Sequence, residues 1–269
     1  MSISINHHRE GSGPTLVLLH GVGHHWQAWR PVISLLAAQF DVVACDTPGF
    51  GASAPLASSI EPTILAYVDA FEWFFAELGL ERPHVAGNSM GGAIALELAR
   101  RRAVSSASAF SPAGFWSRPE LRFCQASLGA LADVPTRARP LIEALARTRA
   151  GRLALFSQTF GYPLRLPSEA AVATLRDAWR SPAFSQTLKA FERYRFAAGE
   201  QLRHTPVTIA WGERDRLLPY RLQAPRARAL LPSALHVTLG AGHVPFYDDP
   251  GAVAEVIRAR ALGGEGVAV

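Results

Sequence analysis

The stretch Arg82-Pro-His-Val-Ala-Gly87-Asn88-Ser89-Met90-Gly91-Gly92-Ala93-Ile-Ala-Leu-Glu-Leu-Ala-Arg100 decides the reading of this chain. Its first part is a short apolar run with the look of a buried strand, and its last part has helical spacing. Between them Gly87-Asn88-Ser89-Met90-Gly91 fits Gly-x-Ser-x-Gly, in the strand–turn–helix context this pattern requires. So sharp a turn brings neighbouring backbones nearly into contact, which is why small residues stand two before and two after the serine. It also pushes the Ser89 hydroxyl out at the top of the sheet. The following helix aims its free N–H groups and the positive end of its dipole at charge developing there.

The same alternation continues on both sides. Thr15-Leu-Val-Leu-Leu-His20, Phe40-Asp-Val-Val-Ala-Cys45 and Ser105-Ser-Ala-Ser-Ala-Phe110 read as strands, with helices over Trp29 to Ala38 and Thr63 to Leu78. Short buried strands alternating with helices indicate an α/β fold with a mostly parallel, doubly wound sheet. From about Phe115 to Leu202 strand signals cease and proline-broken helical patches take over. Strands resume at Pro206-Val-Thr-Ile-Ala-Trp211 and Leu235-His-Val-Thr-Leu239, followed by a helix over Gly251 to Leu262. The chain is therefore divided into a core, residues 1–114 and 203–262, and a helical cap, residues 115–202. The cap is inserted before the strand that precedes the acid loop, over the sheet edge where open α/β folds bind ligands. The glycine-rich tail 263–269 is expected to be disordered.

A serine hydroxyl needs a base to become a nucleophile. Of the nine histidines, His243 is the best placed, in the loop Gly240-Ala-Gly242-His243-Val-Pro after the last strand. His84 and His204 belong to the opposite end of the sheet, His236 lies inside a strand, and His7 and His8 fall on an N-terminal strand or loop. The imidazole in turn needs an orienting carboxylate. Asp215, in Trp211-Gly-Glu-Arg-Asp-Arg-Leu-Leu-Pro219, follows a strand on the same edge, with Glu213 its main competitor. Asp46, in Asp-Thr-Pro-Gly-Phe-Gly-Ala-Ser53, reads as a turn former, and Asp248 and Asp249 as caps of the last helix. The N–H groups of Val22, in His20-Gly21-Val22-Gly23, and of Met90 are the candidate oxyanion donors. His24, His25, Trp26 and Val244, with Phe115 and Trp116 from the cap, are candidate substrate contacts. His20, His24 and His25 superficially suit a metal, but no third-ligand carboxylate accompanies them, so neither metal nor cofactor is expected.

Composition narrows the class further. The chain has 269 residues, 49% hydrophobic and 18% charged, which excludes a disordered protein. Two cysteines, Cys45 and Cys124, exclude a disulfide scaffold and a four-cysteine zinc site. The formal charge is +5, but of the 27 basic residues only Lys189 is lysine, a skew typical of genome-wide composition rather than of a selected patch. The cluster Arg100-Arg101-Arg102 suits a helix C-terminus. A small-molecule substrate with an apolar part is expected, with no nucleic-acid or membrane partner. The absence of a signal segment or an apolar run of about 18 residues makes a cytoplasmic protein the simplest expectation.

Taken as a set, the His-Gly turn after the first core strand, Asp46-x-Pro-Gly-x-Gly-x-Ser53, the serine turn, the acid loop and the histidine loop resemble the α/β-hydrolase family. The order Ser89, Asp215, His243 matches that family's order. The resemblance implies a sheet of about eight strands with a cap, and a Ser-Asp-His triad. Only Ser2 to Arg9 precede the His20 strand, so the first strand of that sheet is expected to be missing. Gly-Asn-Ser-Met-Gly-Gly is also similar to the turn of carbon–carbon bond hydrolases, which usually carry Gly-Pro-Gly in the oxyanion loop and Trp after the histidine. This chain has Val22-Gly23-His24 and Val244 there. The leading reading is a cofactor-free serine hydrolase acting on a carboxylic ester, lactone or thioester. Carbon–carbon hydrolysis and a receptor-like ligand-binding role are the alternatives.

Overall fold

The computed structural model describes residues 4–197 and 199–263; the expectation for the tail thus lies almost wholly outside the described residues. The core strands are β1 (His7–Gly11), β2 (Thr15–Leu19), β3 (Asp41–Cys45), β4 (His84–Asn88), β5 (Ser106–Phe110), β6 (Val207–Gly212) and β7 (Leu235–Leu239). They form one sheet in the order β1-β3-β2-β4-β5-β6-β7, with β1 antiparallel on the edge and the rest parallel. Seven strands stand where the family resemblance implies about eight. β1 is the segment that composition left open between strand and loop. It lacks a buried face, alternating His-His-Arg-Glu along a half-exposed edge, and so carries no hydrophobic period.

The register sets the site. Leu19 pairs with Gly87, Asn88 with Phe110, Phe110 with Ala210 and Gly212 with Leu239, so the strand ends align and their following loops meet on one edge. One face is covered by α1 (Arg30–Ala37) and, at the end of the chain, α10 (Pro250–Ala261). The other is covered by α2 (Ile64–Glu77) and α3 (Met90–Arg100). α2 starts where the Thr63 side chain accepts the N–H of Ala66 at 3.1 Å, and it ends at Gly79, whose φ of +64° halts it. α3 is buried from Met90 to Ala99, which explains a sequence of Gly, Ala, Ile and Leu with little polar face.

Between β5 and β6 lie α4 (Arg118–Ala132), α5 (Arg139–Arg147), α6 (Arg149–Phe156), α7 (Ser168–Arg180) and α8 (Phe184–Ala190). α4 begins in a capping box, Glu120 accepting the Ser117 N–H at 2.8 Å. The same Glu120 takes a two-pronged bond from Arg226 on the core helix α9 (Tyr220–Leu230), at 2.5 and 2.9 Å, which ties the helical segment to the core. That guanidinium holds the Glu120 carboxyl below its ordinary range. Two of the clustered arginines are likewise paired: Arg100 with Glu97, and Arg101 with Asp69 and Glu72. Among the described residues, no helix is long and apolar enough to cross a membrane.

Candidate active site

Gly87, Ser89 and Gly91 form the turn between β4 and α3. Ser89 sits at φ 55°, ψ −113°, a conformation costing on the order of 1–3 kcal/mol for a residue with a side chain. Two glycines make it possible. A Cβ on Gly87 would lie 2.1 Å from the Gly91 carbonyl oxygen, and one on Gly91 would lie 2.2 Å from that of Leu19. The Ser89 N–H donates to the Phe110 carbonyl, and its own carbonyl accepts from Ala93 and Ala113. The strained turn is thus held by strand, helix and the segment after β5 together.

The imidazole of His243 donates from Nδ1 to Oδ2 of Asp215 at 2.8 Å, both side chains buried. The other carboxylate oxygen of Asp215 accepts the N–H groups of Leu217 and Leu218, at 3.0 and 2.8 Å. This pairing fixes the tautomer: with Nδ1 protonated toward Asp215, Nε2 keeps its lone pair for a proton from serine. Glu213 is about half exposed and lies 3.8 Å from Arg214, away from the histidine. Ser89 and His243 line one small cavity together with Gly21, Val22 and Asn88. No hydrogen bond joins the hydroxyl to the imidazole in the substrate-free geometry, where such contacts are commonly loose. Val22 lines the cavity and Met90 opens α3; neither amide donates to a protein acceptor among the described residues, as oxyanion donors require.

His20 organises the turn that carries Val22. Its Nδ1–H donates to the Gly21 carbonyl at 2.7 Å while Nε2 accepts the N–H of Thr47 at 2.9 Å, and burial pushes its pKa down to about 4. That arrangement requires a neutral ring with its proton on Nδ1. Asp46 does form its turn, accepting Ala52 N–H and the Asn6 side chain, and it also anchors Trp26 through its N–H at 2.7 Å.

The structure sorts the remaining candidates. His24 and Val244 line the serine cavity, and His25 lines a larger cleft beside it. Burial and the nearby imidazoles push His24 down to about 3, so it too is neutral. Trp26, Phe115 and Trp116 border neither cavity. Trp26 stacks on His8 at 4.5 Å. Phe115 packs against Phe196 and Trp211, and Trp116 against Phe191, both only 2% exposed. Phe115 and Trp116 are turned into the seams between segments and serve packing, whereas Trp26 is half-buried beside Arg30, a residue of the outer cleft.

Asp249 caps α10 as expected, accepting the Ala252 N–H, but Asp248 does something else. Its buried carboxylate accepts the N–H groups of Gly242 and Gly161, each at 2.7 Å, and of Tyr162 at 2.8 Å. It therefore staples the histidine loop to the segment after α6, where Val244 N–H also donates to the Thr159 carbonyl. Asn88 is a second unforeseen brace, its amide nitrogen donating to the carbonyls of Phe110 and His243, at 3.1 and 2.8 Å. No sequence signal marks either residue, since both bond to backbone atoms distant in the chain. Asp248→Ala strands three amides, each costing about 1–3 kcal/mol when buried without a partner. A loss of about 3 kcal/mol or more in urea unfolding, with reduced turnover, is expected.

The chain belongs to the α/β-hydrolase fold family, whose profile matches residues 14–250. It is 29% identical to the pimeloyl-[acyl-carrier protein] methyl ester esterase of Aeromonas hydrophila, over 96% of this chain and 98% of the relative. It is 28% identical to a 2-hydroxy-6-oxononadienedioate/2-hydroxy-6-oxononatrienedioate hydrolase of Pseudomonas putida, over 90% and 86%. In structure it is similar to a putative lipase of Acinetobacter baumannii, with a TM-score of 0.76 and 22% identity over 98% of this chain and 89% of that one. The relatives thus include an esterase and a hydrolase.

Proposed function

We propose that the protein is a cofactor-free serine hydrolase that cleaves a carboxylic ester, lactone or thioester through an acyl-enzyme. The observation that carries this reading is the buried Asp215–His243 pair, with Ser89 on the same cavity and two unpaired amides beside it. Ser89 Oγ attacks the carbonyl carbon as its proton passes to Nε2 of His243, and Asp215 stabilises the imidazolium. The N–H groups of Val22 and Met90 receive the oxyanion, each contributing about 2.7–4 kcal/mol to the transition state. His243 returns the proton to the leaving oxygen or sulfur, and the alcohol or thiol departs. Water, deprotonated by the same imidazole, then releases the acid and restores Ser89.

Rapid mixing with a nitrophenyl ester tests the covalent intermediate. A burst of nitrophenolate close to one equivalent per active site is expected before the steady rate. Linear release with no serine acylation detectable by mass spectrometry contradicts the mechanism.

Carbon–carbon hydrolysis is a second reading, favoured by the Gly-Asn-Ser-Met-Gly-Gly turn and the Pseudomonas putida relative. Turnover of a vinylogous diketone well above that of a nitrophenyl ester decides for it. Cytoplasmic residence is part of the proposal, supported by the buried free thiols Cys45 and Cys124, which suit a reducing compartment.

A further inference from the structure

Two cavities meet at one pair of side chains. The inner chamber holds Ser89 and His243, is lined also by Leu128, Thr159 and Leu217, and has a volume of about 40 Å³. The outer cleft lies between the turn carrying His25 and helix α7 and has a volume of about 410 Å³. His24 and Val244 border both. We propose that His24 and Val244 form a partition that sorts the substrate, with an acyl group no larger than acetyl to butyryl inside and a bulky, partly polar alcohol outside. This rests on the serine-hydrolase reading above.

Volume sets the first half. The inner chamber has about a tenth of the volume of the outer cleft, so it suits a short acyl group far better than a long alkyl chain. Mechanism sets the second half. Ser89 borders the inner chamber and not the outer cleft, so the acyl group bonded to its Oγ starts in the inner chamber, and the alcohol is left the larger space across His24 and Val244.

The partition is braced on both flanks. Val244 is tied by its N–H to the Thr159 carbonyl at 2.9 Å, and His24 by its N–H to the Gly21 carbonyl at 3.1 Å. Gly23 lies so close to the cap that a Cβ there would meet the Phe184 ring at 2.5 Å. Nε2 of His25 stands 2.6 Å from the Asp177 carboxylate on α7. A long acyl chain has to displace this assembly to enter, whereas a short one does not. The outer cleft mixes Phe160 and Tyr247 with Arg30, His25, Glu169 and Asp177. Such a lining suits a large alcohol bearing hydroxyl or amide groups better than a bare hydrocarbon.

Measuring kcat/KM for nitrophenyl acetate, butyrate and octanoate tests the partition. Wild type should fall by about tenfold or more from acetate to octanoate, since each mismatched methylene in a hydrophobic pocket discriminates about tenfold or more. His24→Ala joins the two spaces and should raise the octanoate-to-acetate ratio by about tenfold. Leu128→Ala enlarges the chamber from the half-buried cap side and should move the ratio in the same direction, which keeps the test alive if the His24 variant does not fold. A wild type that prefers octanoate, or variants that fold and leave the ratio unchanged, overturns the proposal. Labelling of Ser89 by a small fluorophosphonate separates the causes. Persistent labelling places the failure in the partition, whereas absent labelling overturns the serine-hydrolase reading with it.

Discussion

Replacing Ser89 by alanine is expected to lower kcat by about six orders of magnitude and to abolish covalent labelling by a fluorophosphonate. The size follows from the division of work at the site. In the proposed mechanism His243 and Asp215 act only by activating this hydroxyl, so without it they have no task, and what remains is the oxyanion pair and substrate binding. Stability supplies an internal control. Alanine at φ 55° has the same strained backbone as serine and should unfold at nearly the same urea concentration. Ser89→Gly removes the steric cost and should be more stable than Ser89→Ala by about 1 kcal/mol while being equally inactive. Full labelling of the alanine variant would mean that another residue is the nucleophile.

The second large effect is at Asp215. Changing it to asparagine is expected to reduce kcat by about 10⁴-fold, with a much smaller change in KM. Oδ1 of Asp215 accepts two backbone amides, from Leu217 and Leu218, and Oδ2 accepts the imidazole N–H. An asparagine carbonyl can serve the backbone pair, but its NH₂ then faces Nδ1 and forces the proton onto Nε2. The base is left with its lone pair pointing the wrong way. Glu213→Gln, on an exposed side chain beside Arg214, should leave kcat within about twofold of wild type, as surface changes of this kind do. The opposite ranking of the two variants in steady-state kinetics would transfer the role to Glu213.

Sequence reading and structure agree best where local chemistry forces the outcome. β2, β3, β4 and β6 fall within a residue or two of the apolar runs, because strands buried on both faces must be apolar throughout. Gly87 and Gly91 were readable because no larger residue fits the turn. Asp215 and His243 sit on loops that leave the same edge of the sheet, and the Nδ1 to Oδ2 contact joins them. Aromatic residues after β5 are less legible. Phe115 and Trp116 have the same composition whether they face a ligand or a seam between segments, and only tertiary packing decides. Asp248 departs from the cap role its sequence position suggests for a related reason. It stands beside a true helix cap, and its partners at positions 161 and 162 lie in another part of the chain.

The staple made by Asp248 has a consequence for how the molecule breathes. The same carboxylate oxygen holds Gly161 and Gly242, and the adjoining Val244 amide is held by Thr159. Raising residues 159–162 as a hinged flap would therefore drag His243 out of alignment with Asp215. Ligand exchange has to proceed by yielding elsewhere, leaving this stitch closed. The amide protons of Gly161, Tyr162 and Val244 should then exchange with solvent together and slowly, at the pace of the sheet rather than of a surface loop.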